Sequence, residues 1–229
     1  MKKLIFNVAL ALAVVFGLGS CGYDNFDEPE STLSGYVQYE GQNLQLPGSG
    51  GVVQLQAYQD GYQLHSPISI YVDQNGHFSA KLFDGVYKLV TRDKNGPWVN
   101  KRDTITVTLK GSKEVNIPVT PYYTLSDFKC TLSGKKLDVS FNVQQIVKTA
   151  SINYATLCIG TTSILDEQNN AMQVKLPGAA IKVGANSFSL DVSDAQLASL
   201  QKAVKVTARV GLRTVDADCS IYTPMVSLK

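Results

Sequence analysis

The side chains best suited to acid–base chemistry near neutral pH are two histidines, His65 and His77, with Asp73 between them. His65 precedes an apolar alternating run and His77 follows an Asn-Gly turn, so the three surround one hairpin and present metal-ligating atoms. No two-residue ligand spacing of the zinc type accompanies them. The run Asp73-Gln74-Asn75-Gly76 echoes the start of a calcium loop, but the later ligands and closing Glu are missing. A tight turn accounts for these residues, and neither metal nor other cofactor is expected.

Cys130, Cys158 and Cys219 are the thiols of the chain's second half, and an odd number permits at most one bridge within it. Parity places Cys130 with Phe128 and Leu132, and Cys219 with Ile221, as small buried apolar groups. Two readings stay open: free buried thiols, which the sequence favours, or a Cys130–Cys219 disulfide. No histidine lies near any of them in sequence, so no thiol nucleophile is indicated.

Glycoside hydrolysis would need two carboxyl groups held across a cleft. Asp60, Asp73, Asp84 and Asp103 fall at turns, and Asp191 and Asp194 at a helix start, where their backbone-capping role is sufficient explanation. The chain is therefore not expected to be an enzyme.

Aromatic side chains offer another chemistry. The C–H faces of sugar rings bury apolar area against an exposed aromatic ring while amides and acids bind the hydroxyls. Tyr58 lies on the polar side of its alternating run, Tyr62 just past Asp60-Gly61, and Trp98 in the Lys94–Lys101 loop. These three are the candidate carbohydrate contacts. Each also has an ordinary explanation: cross-strand pairing for the tyrosines, and capping of a sheet end for Trp98.

The elements positioning these residues are strands. Val53, Leu55 and Ala57 alternate with Gln54, Gln56 and Tyr58, and Ile105, Val107 and Leu109 alternate with threonines. Leu137, Val139, Phe141 and Val143 repeat the pattern, as do Val204, Val206, Ala208, Val210 and Leu212. A period of two marks strands buried on one face. Gly-containing turns at Asp60-Gly61, Asn75-Gly76, Asp84-Gly85, Asn95-Gly96 and Ser133-Gly134 separate them, as in a sandwich. One short crossover helix is predicted over 193–203, where Ser193 and Gln196 form a capping box and Leu197 and Leu200 a narrow apolar stripe. The prolines of residues 118–127 suggest a domain boundary, with a new strand pattern starting at Phe128.

The first 20 residues read as a secretory signal peptide: Lys2 and Lys3, then an apolar run from Leu4 to Leu18 broken by Asn7 and Gly17, then small residues. Removing them takes 2 of the 21 basic residues and none of the 19 acidic ones, so the net charge falls from +2 to 0. A neutral protein has no field for gripping nucleic acid, which is excluded as a partner. Leu18-Gly19-Ser20-Cys21 resembles the bacterial lipobox, which implies lipidation of Cys21 and anchorage to a bilayer. The acids Asp24, Asp27, Glu28 and Glu30 make residues 21–31 a solvated tether, and they resemble a surface-export signal of Bacteroidetes lipoproteins.

The first domain, residues 32–121, resembles the carboxypeptidase-regulatory, transthyretin-like sandwich. The likeness rests on Gly35-x-Val37, on Asp73, Gly76 and Phe78, and on Leu82, Gly85 and Tyr87. Over "YDNFDEPESTLSG", "LFDGVYKLV" and "VNIPVTPYYT" the chain is similar to a family of two-domain Bacteroidetes lipoproteins encoded beside SusC-like transporters and SusD-like glycan-binding proteins. The expectation is an all-β chain: a transthyretin-like sandwich, then an Ig-like sandwich over 122–229. The resemblance implies an outer-membrane accessory protein, on the cell surface or periplasmic face, binding carbohydrate or SusC/SusD-like partners without catalysis. A structural fimbrillin-like subunit or a scaffold or adhesin lipoprotein is the alternative. The absence of Arg before Arg92 argues against maturation of the first strand by an arginine-specific protease.

Overall fold

A computed structural model describes residues 27–49, 53–61 and 65–229. Cys21, the leader and Tyr62 lie outside the described residues. The fold is all-β, in two sandwich domains with a single α-helix among the described residues.

The first domain contains β1 (Ser31–Tyr39), β2 (Gln42–Asn43), β3 (Val53–Gln59), β4 (Ile68–Val72), β5 (His77–Leu82), β6 (Gly85–Thr91), β7 (Ile105–Leu109), β8 (Ser112–Glu114) and β9 (Ile117–Pro118). They form one curled sheet in the order β2-β1-β5-β4-β3-β6-β7, with β8 and β9 adding parallel to β1. Leu33, Val53, Leu55 and Ala57 are wholly buried, and Phe78 and Tyr87 are nearly so, as alternation requires. Gly35 is dictated by close approach: a Cβ there would lie 1.9 Å from the Val115 carbonyl oxygen, where β1 meets the segment joining β8 to β9. β1 starts at Ser31, inside the expected tether. The Ser31 hydroxyl donates to the Asp84 carboxylate and accepts from Gly111 N (2.8 Å). Asp84, expected as a turn residue, thus also fastens the beginning of β1. Hydrogen bonds from Ser31 and Gly111 hold its carboxyl below the usual range.

The second domain contains β10 (Tyr123–Ser133), β11 (Lys136–Gln145), β12 (Ile152–Gly160), β13 (Met172–Pro177), β14 (Gly184–Asp191), α1 (Asp194–Lys202), β15 (Thr207–Thr214), β16 (Ile221–Tyr222) and β17 (Val226–Ser227). A β10-β11-β14 sheet is complemented by a β13-β12-β15-β16 sheet to which β17 adds on β15. The chain crosses between them through α1, whose capping box is formed as predicted: Ser193 Oγ accepts from Gln196 N and Gln196 Oε1 accepts from Ser193 N. β10 starts at Tyr123 rather than Phe128, and a bulge between Ser126 and Lys129 interrupts the alternation there.

One strand departs from its expected pattern. Val204 is 96% exposed, outside the strand, whereas β15 is buried on both faces from Thr207 to Leu212. The second face is polar in sequence, yet Arg209 on it is only 1% exposed. It is covered by a segment of the first domain.

Cys130, Cys158 and Cys219 are free and buried. Burial raises their pKa values, to about 11 for Cys130 and about 12 for Cys158 and Cys219, which suppresses thiolate.

Candidate functional site

The site is built from the turn after β1. Tyr39 pairs with Gln42 across a two-residue connection, Glu40-Gly41, in which both residues have positive φ (49° and 78°). This is the twist that a tight hairpin needs, and it projects the Glu40 side chain outward. Beyond β2 the chain runs against the second domain. Leu44 N donates to Val37 O (3.0 Å), Leu46 N to Gln74 O (2.9 Å), and Tyr222 N to Gln45 O (3.0 Å). Leu46 is wholly buried, and its carbonyl accepts from Arg209 Nη2 at 3.0 Å.

Arg209 explains the double-sided burial of β15. Its guanidinium lies 3.9 Å from the centroid of the Tyr222 ring and holds the crossing segment by a charge-assisted bond. Burial lowers its pKa and raises that of Tyr222. One step along, the carboxylate of Asp166 receives Gly48 N (2.9 Å), Ser49 N (2.7 Å) and Ser49 Oγ (2.7 Å) from the first domain. It also receives Gln168 N and Asn169 N, both at 2.8 Å, from its own loop. Burial alone would raise this carboxyl; the hydrogen bonds from Ser49, Asn169 and Gln168 outweigh it and hold it below the usual range. Gln74 Nε2 adds a bond to Ser163 O (2.6 Å). The two domains are therefore latched through buried polar contacts as well as apolar ones.

A groove of about 540 Å³ lies at this junction. One wall is the hairpin, with Tyr39, Glu40, Gln42, Asn43 and Gln45; the other carries Thr124, Ser126 and Gln144 from β10 and β11. Tyr222 and Ile221 are buried behind it. The second wall is ordered by hydrogen bonds from Thr124 Oγ1 to Gln144 Oε1 (3.3 Å) and from Asn142 Nδ2 to Ser126 Oγ (3.4 Å). Asn43 Oδ1 accepts from Gln38 Nε2 (2.8 Å), whereas the amide groups of Gln42 and Gln45 have no hydrogen bond to protein among the described residues. The Glu40 carboxylate beside the phenol of Tyr39 raises the tyrosine pKa. Aromatic surface, amides, hydroxyls and one carboxylate converge here, a combination suited to a polyhydroxylated ligand.

Of the residues expected to contact carbohydrate, Tyr58 and Trp98 do not line this groove. Trp98 is 2% exposed, so of its two expected roles, carbohydrate contact or packing against a sheet end, burial favours the second. It bridges to Pro121 in the interdomain connection, flanked by hydrogen bonds from Val99 N to Thr120 O (2.9 Å) and from Tyr122 N to Pro97 O (3.1 Å). Gly96 makes room for the indole, since a Cβ there would lie 2.3 Å from the ring. The ring is a core residue and has no face free for a sugar. Tyr58 lies half-buried on the outer side of β3, donating weakly to Gln56 Oε1 (3.4 Å), in a shallow depression of about 230 Å³ with Lys88 and Arg102. Both cations are paired, Lys88 with Asp60 at 2.7 Å and Arg102 with Asp93. Asp73 caps its own turn, accepting from Asn75 N and His77 N, and among the described residues no group of three or more His, Cys, Asp or Glu could hold a metal ion. Tyr39 and Glu40 were missed by sequence reasoning; the signal was a Glu-Gly turn followed at once by two amides.

Residues 31–120 match the family described as "Protein of unknown function (DUF3823) N-terminal domain", and residues 123–227 match "Domain of unknown function (DUF3823_C)". The chain belongs to the DUF3823 family. A DUF3823 protein from Parabacteroides merdae is 44% identical, covering 89% of this chain and 100% of its own, with a TM-score of 0.83. A DUF3823 protein from Bacteroides ovatus is 27% identical over 87% of this chain and 100% of its own, with a TM-score of 0.76. A proposed carbohydrate binding protein from Bacteroides uniformis shares the fold, with a TM-score of 0.69 at 14% identity over 88% of this chain and 99% of its own. No curated protein matches this DUF3823 chain.

Proposed function

We propose that this DUF3823 protein is a lipid-anchored outer-membrane accessory protein of a glycan-utilisation system, which binds carbohydrate without catalysis in the groove between its domains. The observation carrying this reading is the groove itself: about 540 Å³, lined by Tyr39, Glu40 and a set of amides and hydroxyls. That volume lies in the range of ligand sites, about 300–1,000 Å³. The latch at Asp166 and Arg209 holds the two walls in register, so binding need not repay the ordering of flexible segments. The Bacteroides uniformis relative for which carbohydrate binding is proposed supports the same direction. The lipobox-like Leu18–Cys21 supports the anchor, and the resemblance to lipoproteins encoded beside SusC-like and SusD-like proteins supports those partners.

Affinity electrophoresis against a panel of plant and host polysaccharides tests the binding role. Retardation by at least one glycan, lost in Tyr39→Ala, is expected; free migration in every gel overturns the reading. For the anchor, a Cys21→Ser chain is expected to leave the membrane fraction. Its retention there would refute lipidation at that thiol.

A further inference from the structure

We infer that the junction groove selects uncharged glycans presenting adjacent hydroxyl pairs, with the Glu40 carboxylate as the hydroxyl acceptor and the Tyr39 ring as the stacking face. This rests on the carbohydrate-binding reading above and names its ligand class.

Charge makes the first argument. Among the described residues Glu40 is the one carboxylate lining the groove, and neither Lys, Arg nor His lines it. Uronate and sulfate groups are recognised by Arg or Lys through charge-assisted bonds, and without them an anionic polymer meets only repulsion from Glu40. The described surface holds many cations elsewhere. Lys88 and Arg102, the two at the Tyr58 depression, are already paired with acids.

Geometry makes the second. An ionised carboxylate is acceptor-only and has two oxygens, which fits two O–H donors on neighbouring ring carbons. Glu40 is held at the groove by a turn whose first central position it occupies at φ 49°, a conformation that Asn or Gly adopts at lower cost. The turn thus carries a carboxylate at a position where its backbone does not favour one. Tyr39, immediately before it, places an aromatic ring on the same wall, and the neighbouring Glu40 carboxylate raises the pKa of its phenol.

The third argument is the amide complement. Gln42 and Gln45 carry carbonyl and NH₂ groups without protein partners among the described residues, and Gln144 faces them across the groove. Amides both donate and accept, which suits neutral hydroxyls whose own donor direction is free to rotate. Across the groove, Ser126 lies beside the register shift of β10, and its hydroxyl donates to Asp127 Oδ2 at 2.8 Å.

The test is isothermal titration of the chain beginning after Cys21, and of its Glu40→Gln, Glu40→Lys and Gln144→Ala variants. The ligands are neutral oligosaccharides (β-glucan, mannan, xylan and galactan fragments) and, separately, oligogalacturonate and alginate fragments. Thermal unfolding of each variant establishes that it is folded; Gln144→Ala lies on the opposite wall and removes no turn residue. Binding of a neutral ligand is expected, with Glu40→Gln weakening it by about 10- to 100-fold, the cost of one lost charge-assisted hydrogen bond. Gln144→Ala is expected to weaken it by several-fold. Preference for the acidic fragments, or affinity within twofold of the native value in Glu40→Gln and Glu40→Lys, overturns this inference and leaves glycan binding standing. Failure to bind any ligand in either class overturns both.

Discussion

Asp166→Asn isolates the interdomain latch. In the native protein, Oδ1 accepts from Ser49 Oγ, Gln168 N and Asn169 N, and Oδ2 from Gly48 N and Ser49 N, at 2.7 to 2.9 Å. An Asn retains one oxygen. If it faces the loop at 168–169, its NH₂ group confronts the Gly48 and Ser49 N–H donors. If it faces the first domain, the amide confronts its own loop instead. Either way about two donors lose an acceptor at a side chain that is 1% exposed, at about 1–3 kcal/mol each. Gly48 and Ser49 are only partly buried and regain some hydration, so the net loss is about 2–4 kcal/mol. For a chain of this size that lowers Tm by about 5–15 °C. The pH dependence adds a second check. Asp166 has a folded pKa lowered from its ordinary 3.8, so its contribution is fully present above that value and is lost as pH falls through the folded value. Urea unfolding of both proteins at pH 7 and at successively lower pH measures the gap, which is expected to be widest at pH 7 and to close in acid below 3.8. A gap under about 1 kcal/mol at pH 7, below the cost of one unsatisfied donor, would refute the latch.

Trp98 is the only tryptophan in the chain, so intrinsic fluorescence reports it alone. Its emission is expected to be blue-shifted and shielded from iodide, and unchanged by saturating glycan; a red, quenchable emission would contradict its burial. Gly35→Ala is expected to destabilise by about 3 kcal/mol or more in urea unfolding, because the new Cβ collides with backbone at Val115 rather than with a yielding side chain; a loss under about 1 kcal/mol would contradict that packing. In a chain beginning after Cys21, Cys130, Cys158 and Cys219 are expected to resist a thiol reagent at pH 8 until denaturant is added, then react together. Rapid reaction of the folded protein would show that one is accessible.

The strands, the helix cap and much of the core were legible from local spacing, since each expresses a period or a short-range bond. Val53, Leu55 and Ala57 read as one buried face because alternate residues of a strand point the same way, and Ser193 with Gln196 read as a cap because they lie three residues apart. The same logic misassigned Val204, where alternation continued three residues past the strand's actual start at Thr207. It left Trp98 open between a surface contact and a cap on the sheet end, because a Gly-Pro loop ordinarily faces solvent; here the connection at 120–122 folds back over the indole.

By itself the sequence determined which residues alternate, where the chain turns and which segment carries a lipobox-like cysteine, all properties that a few neighbouring residues encode. Tertiary structure alone decided the groove and its latch. Tyr39 and Glu40 meet Ser126 and Gln144 across the two domains, and Asp166 holds Ser49 from 117 residues away. No periodicity links such partners. Arg209 looked like a residue on the wet side of a strand until residues 44–47 of the other domain came down on it, and the Leu46 carbonyl, the Tyr222 ring and the nearby Asp166 carboxylate make its buried charge tolerable.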